Sequence, residues 1–177
     1  MFTALFMMAA PFYVGSATVE LGLSSQVAVP NLLAMQTIGS VTGALFYTWL
    51  GARNNLLYIR LALAGAALLP ISALLAGIVG PLPLYFGFLV SGLAAGSNLF
   101  SSFVNWVVGY ANSDERPIYV GLTNTLAAVT ALISPFIGGT IVQSFGYRPL
   151  FVVSLCLALS ALFITIRFLR HSHDNVH

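Results

Sequence analysis

Six long apolar segments, separated by short polar or glycine- and proline-rich links, cover almost the whole 177-residue chain. A helix of about 20 apolar residues crosses a hydrocarbon core roughly 30 Å thick. Each segment has or approaches this length, so the pattern predicts six transmembrane helices, which we call spans 1 to 6. Their predicted bounds are Met1–Thr18, Val27–Leu50, Asn55–Ile78, Pro83–Gly109, Ile118–Ser144 and Pro149–Leu169.

Composition excludes a water-soluble fold for this chain. Only 6% of its residues are charged and 59% are hydrophobic, whereas soluble domains carry about 25% charged residues. An open sheet cannot cross lipid because its edge amides have no hydrogen-bond partner there, and the segments are too long for barrel strands and do not alternate. The sequence therefore predicts an all-α, polytopic membrane protein, with one six-helix domain over residues 1–170 and a short tail over residues 171–177.

The arginines indicate the orientation of the helices. Most of them lie in the links after spans 2 and 4, near the start of span 3 or in the C-terminal tail. These are Arg53, Arg60, Arg116, Arg167 and Arg170, whereas Arg148 lies in the link after span 5. Because positive residues favour the cytoplasmic side, we expect both termini in the cytoplasm and the protein in the cell (plasma) membrane. The small net charge of +2 indicates no nucleic-acid partner.

A short pattern occurs twice, three spans apart. Gly43-x7-Gly51-Ala-Arg53 ends span 2, and Gly138-x7-Gly146-Tyr-Arg148 ends span 5. An offset of three spans places the two turns on opposite membrane faces, which is typical of the inverted three-helix repeats found in many secondary transporters. We therefore expect two such repeats. The alternative is that glycine is simply favoured in short turns after membrane helices.

Polar side chains are unevenly distributed among the spans. Spans 2, 4 and 5 each carry several, including Asn31, Asn105 and Asn124, whereas spans 3 and 6 carry few. Polar groups in membrane helices tend to face the bundle interior or a water-filled cavity. We therefore expect spans 2, 4 and 5 to line a cavity and spans 3 and 6 to face lipid.

Five segments of the chain carry a resemblance to a known family. The segments 115–124, 133–139 and 145–151 resemble helix eleven of the major facilitator superfamily and the tight turn into helix twelve. Pro11-Phe-Tyr13 and Gly39-Ser-Val-Thr-Gly43 resemble its helices seven and eight. The resemblance covers nearly the whole chain in the right order. It implies the C-terminal six-helix half of a twelve-helix transporter, in which the third and sixth helices of each half lie outermost.

The chain departs from the family in one loop signature, Gly-x-x-x-Asp-Arg-x-Gly-x-Arg. Aligned on Gly51 and Arg53, which remain, the Asp and Arg positions hold Thr48 and Trp49. The resemblance implies that this charged pair latches the cytoplasmic side, so that latch is missing here. It also implies an N-terminal six-helix half before Met1, so we expect either such a half or a second copy of the chain as a partner.

Amide and hydroxyl side chains are the candidates for the lining of a solute cavity. Asn98, Ser102 and Asn105 share one face of span 4, and Gln36 and Ser40 share one face of span 2. Such groups bind a solute through hydrogen bonds without a fixed charge. The alternative for each is a hydrogen bond between helices, worth roughly 0.6 kcal/mol on average. In span 5 the corresponding candidate is Thr130.

Two glycine pairs are candidates for helix packing. Gly39 with Gly43, and Gly92 with Gly96, have the GxxxG spacing that lets two membrane helices approach closely. The acidic residues, in contrast, are all in links or in the tail, at Glu20, Asp114, Glu115 and Asp174. A proton-coupled carrier usually needs a titratable group at membrane depth, so in a proton-driven transporter that group is expected in the other half.

The sequence predicts a secondary transporter rather than an enzyme. All three histidines lie in the tail and the single cysteine, Cys156, has no base near it, so neither a nucleophile–base pair nor a metal site is expected in the membrane. We expect no cofactor and no metal. The predicted function is transport of a small-molecule solute by alternating access, in contact with membrane lipid. The alternative is a truncated, non-transporting remnant or a membrane scaffold protein.

Overall fold

The computed structural model describes residues 6–51, 53–95, 99–110 and 114–168, and within these ranges the chain is helical and contains no strand. A 3-10 segment, Phe6–Ala9, comes first. The helices that follow are α1 (Phe12–Val19), α2 (Ser25–Phe46), α3 (Asn55–Val79), α4 (Leu82–Ala95), α5 (Leu99–Tyr110), α6 (Arg116–Phe145) and α7 (Tyr147–Phe168). Between α2 and α3 the chain forms a π-helical segment, Tyr47–Gly51. The tail over residues 171–177 lies outside the described residues.

Span 1 is not one continuous helix. Its described part consists of the 3-10 segment, a turn and the eight-residue helix α1. Pro11 is the N-cap of α1. Proline has no N–H group to donate to a preceding turn and disfavours helical geometry in the residue before it. An α-helix therefore begins after Pro11 rather than running through it.

Among the described residues, three helices are both long enough and apolar enough to cross a membrane. They are Leu56–Val79, Arg116–Phe145 and Tyr147–Arg167, which correspond to spans 3, 5 and 6. The helix α2 has 22 residues, but Asn31 and Gln36 lower its hydropathy. Span 4 is described as α4, with 14 residues, and α5, on either side of residues 96–98, which lie outside the described part of the chain.

The helices pack in a connected bundle. The helix α4 lies between α2 and α3, α3 also packs against α7, and the 3-10 segment packs against α6 and α7. The largest core cluster joins α1, α2, α3, α4 and α7. At its centre Tyr13 stacks on Phe151 with ring centroids 4.9 Å apart, meets the edge of Phe88 at 6.2 Å, and is hydrogen-bonded to the buried Ser154 hydroxyl.

Two contacts show which helix ends lie together. At one end, Nη2 of Arg60 donates to the carbonyl oxygen of Ile166 over 3.5 Å. At the other end, Nη2 of Arg148 lies 3.5 Å from the place where a Cβ on Gly77 would be. The helices α3 and α7 are therefore antiparallel neighbours. Arg60 and Arg167 lie at one end of the bundle, and Arg148 lies at the opposite end.

Candidate functional site

The main chains of α2 and α4 come into direct contact where the two helices cross. A Cβ on Gly39 would overlap the carbonyl oxygen of Leu89 and lie 3.0 Å from Cα of Gly92. A Cβ on Gly43 would overlap the carbonyl oxygen of Leu93 and lie 2.9 Å from its Cα. At this crossing the two main chains are in contact, which only glycine permits. Gly96 lies outside the described residues.

Two of the cavity candidates lie beside this crossing. A Cβ on Gly92 would overlap the main-chain carbonyl oxygen of Gln36, which is therefore at the interface itself. The Gln36 and Ser40 side chains are half-buried. An amide and a hydroxyl one helical turn apart thus lie at the edge of the α2–α4 contact, where they can donate to and accept from a neutral solute.

The structure describes the span 4 candidates only in part. Asn98 lies outside the described residues, and Ser102 and Asn105 belong to α5, whose side chains at these two positions are also outside the description. That Asn98, Ser102 and Asn105 share one face of span 4 and line a cavity therefore stays a prediction.

Thr130 is on the covered side of α6. It is buried, as are Ser134 and Gly138 one and two turns further along the same face. Its hydroxyl donates to the carbonyl oxygen of Leu126 over 2.6 Å. The helix α6 packs against the 3-10 segment, α5 and α7, whereas α2 packs against α1 and α4. The structure therefore does not bring Thr130 together with Gln36 and Ser40.

The exposed faces of α2 and α6 carry amides that the sequence analysis did not select as site residues. Asn31 on α2 and Asn124 on α6 are exposed. Most exposed hydroxyls nearby donate to their own helix, for example Thr37 to the carbonyl oxygen of Leu33 over 2.8 Å, which makes contact with lipid inexpensive. A primary amide has two donors and an acceptor. Asn31 and Asn124 are therefore costly to expose to hydrocarbon.

The outward faces of α3 and α7 have a different character. They present almost only aliphatic and aromatic side chains, as expected for helices that face lipid. The exposed large apolar residues of these two faces include Leu57, Leu61, Leu68, Leu75, Ile78, Val152, Leu159, Phe163 and Ile166. The helices α2 and α6 also expose large apolar residues, but they differ from α3 and α7 in exposing the amides Asn31 and Asn124 as well.

The two residues that remain of the loop signature lie where α2 passes into α3. Gly51 ends the π-helical segment, and the guanidinium of Arg53 lies over the ring of Trp49, with Cζ 5.5 Å from the ring centroid. The next residue, Asn54, caps α3 because its Oδ1 accepts from the Leu57 N–H over 2.9 Å. Arg53 is therefore held beside an aromatic ring at one end of the bundle.

Comparison with known proteins is informative at the level of sequence families. Neither the curated proteins nor the solved structures gave a match. The sequence model described as Major Facilitator Superfamily matches residues 1–176, which is nearly the whole chain. Members of this family are membrane transporters of small solutes, not enzymes. This match confirms the family that the sequence resembles, and the chain belongs to the major facilitator superfamily.

Proposed function

We propose that this chain is the C-terminal six-helix half of a transporter that moves a small neutral or amphipathic solute across the cell membrane by alternating access. The observation that carries the proposal is the exposure of Asn31 and Asn124 on α2 and α6, two long helices in which few residues are buried. Groups that hydrogen-bond strongly are expected to meet solute, water or a protein partner rather than hydrocarbon. The match to the family does not favour a remnant or a scaffold.

Differences in the fraction of buried residues between the helices support a protein partner for α2 and α6. In the most apolar part of α6 only 17% of residues are buried, compared with 44% in α3 and 33% in α7. The buried residues of α6 form a narrow stripe of Thr130, Ser134 and Gly138. A second six-helix half, either joined to this chain or a separate copy, would cover the remaining surface and close the cavity between the two halves.

Packing in the described residues also supports two inverted three-helix repeats. When the second glycine pattern is aligned on the first, Gly138 corresponds to Gly43 and Ser134 corresponds to Gly39, and all four residues are buried. Gly43 meets the main chain of Leu93, and Gly138 meets that of Met8. The helix contacts also agree with a repeat, in which span 2 corresponds to span 5 and span 4 to span 1. Span 2 packs against span 4, and span 5 packs against span 1.

The proposed orientation places both termini in the cytoplasm. Arg60 near the start of α3 contacts Ile166 near the end of α7, and Arg148 at the start of α7 contacts Gly77 near the end of α3. This pairing of helix ends supports the orientation that the arginine distribution predicts. The end with Arg60 and Arg167 has more positive charge than the end with Arg148, and positive residues favour the cytoplasm.

The test of the proposal is a flux assay on the purified full chain in lipid vesicles. The oligomeric state is fixed by crosslinking, and uptake of a broad panel of neutral and amphipathic solutes is measured. We expect no flux from the monomer, because it supplies only one of the two six-helix halves that enclose the cavity. Flux is expected when a second six-helix half or a second copy is paired with it. Flux from a demonstrably monomeric chain contradicts the proposal.

A further inference from the structure

A cation and two aromatic rings form an exposed cluster where α2 ends. Cζ of Arg53 lies 5.5 Å from the centroid of the Trp49 ring, which is within the range of a cation–π contact. The Phe46 ring lies 6.3 Å from the Trp49 ring, centroid to centroid. Trp49 is 59% exposed and Phe46 is 43% exposed, and Arg53 is exposed as well. We call these three residues the Trp49 cluster.

The backbone on both sides holds this cluster in place. The π-helical segment turns Tyr47 inward, so that its ring meets the buried Tyr58 edge-on with centroids 4.8 Å apart. After the segment, the N–H groups of Arg53 and Asn54 donate to the carbonyl oxygen of Leu50 over 3.0 and 2.8 Å. π-Helical turns inside helices are frequent at functional sites. Here the turn directs Tyr47 into the core and leaves Trp49 at the surface.

The chemistry of the Trp49 cluster fits a phosphate group at the membrane surface. A guanidinium that lies over a ring keeps its in-plane N–H groups available, and their fork matches two phosphate oxygens. Tryptophan is enriched at the level of the lipid headgroups. One turn deeper, Leu45 is 68% exposed, beside Phe46. The cluster therefore combines a hydrogen-bond donor to a phosphate group, an aromatic ring at the membrane interface and an apolar surface for an acyl chain.

We propose that the Trp49 cluster binds the headgroup of an anionic phospholipid, with Arg53 on the phosphate and Trp49 and Phe46 against the upper part of an acyl chain. The link of residues 51–54 contains no acidic residue, so its charge is complementary to such a headgroup. The proposal requires only that the chain is embedded in a membrane. It does not depend on whether the chain acts as half of a larger transporter.

The two tryptophans of the chain allow a direct test. In a Trp106→Phe background, Trp49 is the only tryptophan, and its fluorescence is quenched by brominated lipid in contact with it. The purified chain is placed in phosphatidylcholine vesicles that contain either brominated phosphatidylglycerol or brominated phosphatidylcholine at equal mole fraction. We expect about a fivefold preference for the anionic lipid from one arginine at the surface. Equal quenching by the two lipids would overturn the proposal.

Variants separate a specific site from general surface charge. Arg53→Gln should abolish the preference, and Arg53→Lys should leave a weaker one, because lysine keeps the charge but lacks the planar fork. The matched control is Arg167→Gln, which removes an exposed arginine from the same end of the bundle. It should leave the preference of Trp49 unchanged. If it lowers the preference as much as Arg53→Gln does, surface potential alone explains the effect and the proposal is wrong.

Two further arms distinguish the source of the phosphate and the state of the fold. Excess inorganic phosphate should not reduce the preference more than chloride at equal ionic strength does. If it does, the site takes free phosphate and the assignment to lipid is overturned. In a Trp49→Phe background, the emission of Trp106, which packs beside Ile59, Leu63 and Ala161, should be the same with and without Arg53→Gln. Unchanged emission of Trp106 would show that the Arg53→Gln variant is folded. The Arg53→Lys variant tests the proposal independently of that result.

Discussion

Amides and hydroxyls on the membrane helices differ in how well their own helix satisfies them. Thr42 and Thr125 are exposed, and each donates to a carbonyl oxygen four residues earlier over 2.9 Å. A hydroxyl that bonds within its own helix is tolerated next to lipid. An exposed amide in a membrane helix is expected to meet solute, water or a protein partner rather than lipid. Asn31 and Asn124 are exposed amides of this kind.

Replacing these amides tests their role at the residue scale. Asn31→Leu and Asn124→Leu should leave the thermal midpoint of the isolated chain in detergent unchanged or higher, because both side chains are exposed and leucine favours an apolar environment. Each should lower the pairing constant with a second half or copy by roughly threefold, as for one interhelical hydrogen bond. The measurement is the crosslinked fraction as a function of the protein-to-lipid ratio.

Thr37→Val is the matched control for both replacements. Its hydroxyl donates to the Leu33 carbonyl oxygen, so its loss should change neither stability nor pairing. Unchanged pairing in both asparagine variants would show that these faces meet lipid.

At the scale of the elements, the two helices with exposed amides are attached to the bundle through small residues. On α2 these are Gly39 and Gly43, and on α6 they are Ser134 and Gly138. Small side chains let the main chains approach, and close packing is a main source of stability between membrane helices. The GxxxG spacing was visible in the sequence, but its partners, the main chains of Leu89, Leu93 and Gln36, were not.

Alanine substitutions test these crossings. A Cβ on Gly43 would overlap the Leu93 carbonyl oxygen, and a Cβ on Gly138 would lie 2.6 Å from the Met8 carbonyl oxygen. Gly43→Ala and Gly138→Ala should therefore each lower the free energy of unfolding by about 1–3 kcal/mol, as is typical of overpacking. Thermal unfolding in detergent, followed by the fraction of chain that elutes as a folded peak, measures the change.

Neighbouring glycines supply the controls for this experiment. A Cβ on Gly139 would lie 3.7 Å from Cζ of Phe12, and one on Gly121 would have nothing within 4 Å. Gly139→Ala and Gly121→Ala should leave stability unchanged or slightly raise it, because alanine favours helix. Equal losses in all four variants would remove the packing argument.

For the whole molecule, the distribution of charge and the arrangement of helix ends agree. Arg60 contacts the end of α7 at Ile166, and Arg148 lies over Gly77 near the end of α3. Each contact joins residues far apart in the sequence but at the same end of the bundle. A cation near the last turn of a helix also interacts favourably with the exposed carbonyl groups there.

Orientation in the membrane is testable with single cysteines in a Cys156→Ala background. Glu115 and Ser24 are exposed and lie at the starts of α6 and α2. A membrane-impermeant thiol reagent should label Glu115→Cys only from the cytoplasmic side, and Ser24→Cys only from the outside, because positive residues favour the cytoplasm. Labelling with the sides exchanged would invert the proposed topology.

The sequence alone determined the class of the protein and the approximate position of spans 3, 5 and 6. Membrane insertion depends on apolar length and on charge in the flanking links, and both are local properties of the chain. Spans 3, 5 and 6 were therefore predicted nearly as the structure has them, as α3, α6 and α7. The family could also be recognised, because its motifs are short and contiguous.

Only the tertiary structure decided which side of each helix is covered. The burial of Thr130, the exposure of Asn124 on the same helix, and the inward turn of Tyr47 onto Tyr58 all depend on contacts between residues distant in sequence. Apolar residues surround most membrane helices, so periodicity does not distinguish a face against lipid from a face against protein. That distinction arises when helices pack, and it is what makes Asn31 and Asn124 informative here.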